Sequence, residues 1–65
     1  MSWIAAKKSA AEWLQGLNLP EKMDGRIIDL EELGQTLNCD GAFRIMVLRA
    51  ATRELRRRGA KIKKE

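Results

Sequence analysis

Ile28-Asp29-Leu30-Glu31-Glu32-Leu33-Gly34-Gln35-Thr36-Leu37 contains a complete helix start. Asp29 has the chemistry of an N-cap, and Glu32 stands three residues on as the return partner of a capping box. Ile28 before the cap and Leu33 after it have the spacing of a hydrophobic staple. Asp29, Glu31 and Glu32 also put negative charge at the positive end of the helix dipole. That role accounts for the paired glutamates without a catalytic cleft, since acid–base pairs need surroundings that split their pKa values. The spacing predicts a helix over residues 30–38, preceded by a short β-prone strand over residues 26–28 (Arg26-Ile27-Ile28).

Downstream, Asn38-Cys39-Asp40-Gly41 reads as a turn, with Asn38 or Gly41 suited to a left-handed backbone position. Cys39 reads as a small packing residue, because nothing nearby in the chain supplies a base to activate its thiol. The longest helix is expected over residues 42–58, ended by Gly59 as the C′ residue with Arg56, Arg57 and Arg58 in its last turn. Phe43, Val47, Leu48, Ala51 and Leu55 form its apolar stripe. Arg49, Thr52, Arg53 and Arg56 recur at three- and four-residue steps on the far side, and Ile45 and Met46 fall outside the stripe. Residues 60–63 alternate like a short edge strand, with lysines blunting the edge.

Upstream, residues 3–17 read as a helix capped by Ser2, with Trp3, Ala6, Ala10, Trp13, Leu14 and Leu17 on one face. Two tryptophans are a large apolar load for so small a domain. Two readings stay open: both rings close the core, or they form a dimer or partner surface. Residues 18–25 are a loop, in which Pro20 bars helical continuation and Asp24-Gly25 is a turn dipeptide.

With 65 residues the chain is one domain, residues 1–65, with a small core. The expected fold class is mainly α: three helices and a minimal two-stranded β element. One cysteine and no histidine leave no internal disulfide, no ordinary zinc site and no histidine base, so no metal, cofactor or enzymatic activity is expected. The apolar run at residues 3–6 ends at Lys7-Lys8, too short for a signal-peptide core or a membrane span, and a cytoplasmic protein is expected. Charge is divided unevenly. Residues 1–40 carry four bases and seven acids, a net of −3, whereas residues 41–65 carry nine bases and two acids, a net of +7. A basic half of this kind points to a polyanion, most often nucleic acid.

The stretch 28–37 and the run Val47-Leu48-Arg49-Ala50-Ala51-Thr52-Arg53-Glu54-Leu55-Arg56-Arg57-Arg58-Gly59-Ala60-Lys61-Ile62 together resemble the winged-helix branch of the helix-turn-helix DNA-binding proteins. The first is similar to the family's first motif helix, the second to its recognition helix running into a wing strand. The resemblance covers about residues 26–62. The segment between Leu37 and Leu55 is about one helical turn longer than the common pattern. The usual Gly-Val-Ser turn is replaced by Asn38-Cys39-Asp40-Gly41, and any wing is expected to be a stub.

The resemblance implies a truncated winged helix that is a small sequence-specific DNA-binding protein, of the kind found in transcriptional control or in phage and plasmid elements. Arg44, Arg49, Thr52 and Arg53 are the expected base or near-base contacts. Arg56, Arg57, Lys61, Lys63 and Lys64 are the expected phosphate contacts. The partner is double-stranded DNA, with no membrane and no small-molecule ligand, and a homodimer or protein contact would use Trp3 and Trp13. The rival expectation is a small interaction protein that grips another protein through the Trp3/Trp13 face or through Ile45 and Met46, its basic half being non-specific.

Overall fold

Asp29 caps its helix as the sequence requires. Its Oδ1 accepts from the amides of Glu31 at 3.1 Å and Glu32 at 3.3 Å. The computed structural model describes residues 2–63, so Lys64 lies outside the described residues. The elements run α1 (Trp3–Leu17), β1 (Ile27–Ile28), α2 (Leu30–Leu33), a 3-10 turn (Gly34–Thr36), α3 (Gly41–Arg57) and β2 (Lys61–Ile62). The protein is mainly helical, with a two-stranded sheet in which Ile27 pairs with Lys61 and Ile28 with Ile62 in parallel.

The start of α1 and the end of α3 are closed by local chemistry. The Ser2 side chain accepts from the Ala5 amide at 3.0 Å and starts α1. At the end of α3 the Gly59 amide donates to the Arg56 carbonyl and the Ala60 amide to that of Leu55, the paired bonds of a Schellman motif. Gly59 has φ +91°, a conformation that a Cβ would strain. Buried Ala60 then meets buried Leu55, the apolar contact that accompanies this motif.

The second helix is shorter than expected. α2 ends at Leu33, tightens into the 3-10 turn and becomes extended at Leu37, so residues 34–38 are not α-helical. The cause lies ten residues further on. Arg44 Nη2 donates to the Gly34 carbonyl at 2.7 Å, and Nη1 donates to those of Leu37 and Cys39, each at 3.2 Å. A planar guanidinium thus supplies donors to the carbonyls of Leu37 and Cys39 and a second donor to that of Gly34, which also accepts from the Leu37 amide. Gly34 permits the approach, since a Cβ there would stand 3.0 Å from Nη2.

The core is the seam between α1 and α3. Ala6, Ala10 and Leu14 of α1 are buried against Val47, Ala50, Ala51 and Leu55 of α3. Small side chains make up much of this seam, and α3 is turned relative to the stripe read from sequence. Ala50 is buried, Leu48 is only half-buried, and Met46, expected outside the stripe, packs against the core. Met23 is buried at 3% exposure although it lies in the loop 18–25. Asp24 and Gly25 both have positive φ, and the Arg26 amide closes the turn onto the Met23 carbonyl at 2.9 Å. The loop also bonds to the end of α3, with the Met23 amide donating to the Arg58 carbonyl and the Gly25 amide to that of Gly59. This pairing continues into the β1–β2 sheet and draws Met23 inward. Cys39 is half-buried and packs on the core, and Gly41, with φ +64°, takes the left-handed position. Among the described residues no helix is long and apolar enough to cross a membrane.

Candidate nucleic-acid interface

α3 and its C-cap, Arg58, carry six arginines, and the structure gives them different situations. Arg44 is folded back on the three carbonyls that end α2, which removes it from the expected base contacts. Arg57 and Arg58, at the other end, face carboxylates. Arg57 Nη2 lies 2.8 Å from Glu21 Oε1 and 2.8 Å from Glu54 Oε2, while its Nε donates to Glu54 Oε1. Arg58 Nε donates to Glu54 Oε2 at 2.7 Å, and its side chain is only 15% exposed. The expected phosphate contact from Arg57 therefore has its charge already paired at the surface with carboxylates of its own chain.

Arg49, Arg53 and Arg56 remain, exposed and without a carboxylate partner among the described residues. Their spacing of four and three places them on one face along about 10 Å of helix. Thr52 sits among them, half-buried, its hydroxyl donating to the Leu48 carbonyl at 2.8 Å. That bond uses the only hydroxyl proton, so toward any ligand Thr52 offers lone pairs alone. Lys61 is exposed on β2. Lys63 is exposed too, but its Nζ lies 3.7 Å from Asp29 Oδ2, which ties it loosely to the cap of α2.

Two residues of α1, Trp3 and Lys7, join this face, where the periodicity of α3 does not place them. Trp3, with Ile45 and Leu48, lines an open groove of about 650 Å³ whose other walls are Arg49, Thr52, Arg53 and Arg56. The Arg53 guanidinium carbon stands 5.7 Å from the centre of the Trp3 ring, within cation–π range. Lys7 lines a second groove beside Trp3 and Arg53. The signal available in the sequence was weak: Trp3 and Lys7 are four apart and share a helix face. The two tryptophans do not form one surface. Trp13 packs on the core and its Nε1 donates to Thr36 Oγ1 at 2.9 Å, whereas Trp3 is 36% exposed beside the arginines. Ile45 is 56% exposed in that groove, separated from Met46, which packs inward.

The Glu54 carboxyl is held down to about 2 from its ordinary 4.5. The hydrogen bond from Arg57 is the largest cause; partial burial opposes it, and the Arg58 hydrogen bond adds to it. A carboxyl depressed in the folded state stabilises the protein above its unfolded pKa and loses that contribution as it protonates. Stability is therefore expected to fall between pH 4.5 and about 2 through this group. In Glu54→Gln that part of the acid sensitivity disappears, read from urea midpoints across the window. An unchanged pH profile in the variant would show that Glu54 does not carry it.

Comparisons of the chain with protein-family models, with curated proteins and with solved structures found no match.

Proposed function

We infer that this chain is a small duplex-DNA-binding protein of the helix-turn-helix kind, with α3 as the helix that enters the major groove. The observation that carries the reading is the face bearing Arg49, Arg53 and Arg56. It presents three exposed guanidinium groups at helical spacing, with no carboxylate among the described residues to neutralise them. A helix is about 10–12 Å across with its side chains and the major groove about 12 Å wide. Guanidinium forks match guanine O6 and N7 or a phosphate. Arg49 and Arg53 are the proposed base readers, with Thr52 beside them as an acceptor for a cytosine or adenine amino group. Arg56, Lys61 and Lys7 neutralise phosphates, and the winged-helix resemblance of residues 26–62 is the background to this docking. Sequence-specific binding of this type suits a regulator of transcription or of a mobile element.

The test is a titration of fluorescent random-sequence duplex at several salt concentrations. With Arg44 and Arg57 bonded to groups of their own chain, Arg49, Arg53, Arg56, Lys7 and Lys61 are the contributing cations. On random-sequence duplex, where the base-reading arginines also fall back on phosphates, one phosphate for each gives a slope of log K against log salt of about −4 to −5. Absence of binding near 50 mM salt, about where the electrostatic contribution is still strong, would reject the reading. It would transfer the exposed Trp3 and Ile45 to a protein partner.

A further inference from the structure

Arg53 differs from its neighbours in a way that the pattern of arginines does not announce. Arg49 and Arg56 extend into solvent without a partner among the described residues, while Arg44, Arg57 and Arg58 have their donor edges occupied by carbonyls or carboxylates. Arg53 alone has its guanidinium carbon over an aromatic ring, 5.7 Å from the centre of Trp3. A cation–π contact is made without committing the guanidinium N–H groups to a carboxylate or carbonyl acceptor. A long side chain is thereby oriented before any ligand arrives, without giving up the hydrogen bonds it can offer.

We propose that Trp3 is a positioning residue for this interface: it holds Arg53 as a preorganised fork aimed at a guanine edge or a phosphate of duplex DNA. The inference rests on the duplex-binding reading above. Ordering a flexible side chain is part of the cost of association, and a fork already ordered in the free protein avoids that cost. Position favours it too, since Arg53 lies midway between Arg49 and Arg56, and Arg53 and Trp3 line both grooves. Trp3 stands in the first turn of α1 at 36% exposure, so its ring can be exchanged without opening the buried Ala6–Ala10–Leu14 seam.

The experiment has two arms. In the free protein, the heteronuclear NOE of the Arg53 Nε–H group is expected to exceed those of Arg49 and Arg56. It should fall to their level in Trp3→Leu and stay high in Trp3→Phe, which keeps an aromatic face. In the second arm, duplex selected from a random pool by the wild-type protein is titrated in a double-mutant cycle. Trp3→Leu is expected to weaken binding about 3- to 10-fold, from the cost of ordering one long side chain. In an Arg53→Ala background it should weaken binding no further, and Trp3→Phe should recover most of the loss. Equal mobility of all three arginines, or the same Trp3→Leu loss with and without Arg53, overturns the positioning role. No duplex binding by the wild-type protein overturns the interface itself, a result separable from additive losses.

Discussion

Arg44→Ala is expected to destabilise the protein by about 2–4 kcal/mol, because charge-assisted hydrogen bonds to partly buried carbonyls disappear. The carbonyls of Leu37 and Cys39 lose their Arg44 donor at once, and that of Gly34 keeps only the Leu37 amide at 3.0 Å. The bonds are not additive, and half-buried Leu37 and Cys39 will regain some water, which keeps the effect below a simple sum. A chain of this length has roughly 3–10 kcal/mol of total stability, at about 0.05–0.15 kcal/mol per residue. The change is thus a large part of the whole. Arg44→Lys should not restore it, because a single ammonium cannot span the separated carbonyls as a planar fork does. Urea denaturation measures both variants. A pair of midpoints equal to wild type would show that the guanidinium does not hold the end of α2, and would return Arg44 to the base-contacting residues first expected.

The combined replacement of Arg49, Arg53 and Arg56 by alanine should act in the opposite sense, sparing the fold and removing the function. At about 1–3 kcal/mol for each base-reading arginine and somewhat less for a phosphate contact, affinity for the selected duplex should fall about a thousandfold or more. The three side chains are exposed, and among the described residues the interaction they make is the cation–π contact of Arg53 with Trp3. Stability should therefore change by no more than about 1 kcal/mol. Arg57→Ala supplies the contrast. It removes the same formal charge from the same helix, but that charge already faces Glu21 and Glu54. Duplex affinity should change little there while the loop carrying Glu21 loosens. If Arg57→Ala and Arg53→Ala weaken binding equally, net charge governs the association and no particular face of α3 does.

The sequence by itself determined whatever depends on neighbours within about one helical turn. Ser2 begins α1, Asp29 begins α2, Asp24-Gly25 makes its tight turn and Gly59 stops α3, because caps and turns are bonds between residues two to five apart. The opposition of Arg49, Arg53 and Arg56 to Val47, Ala51 and Leu55 was equally legible, since helical periodicity alone sets it. Tertiary structure decided the rest. The six arginines between Arg44 and Arg58 are alike in the sequence, yet their availability turns on partners elsewhere in the chain: Gly34 for Arg44, Trp3 for Arg53, Glu21 for Arg57. The early end of α2, the burial of Met23 and the parting of Trp3 from Trp13 have the same origin. Each depends on how α1, the loop 18–25 and the segment 34–39 dock on α3. Close packing of Ala6 and Ala10 on Ala50 and Ala51 sets that docking, and a contact between residues so far apart along the chain leaves no period in it to read.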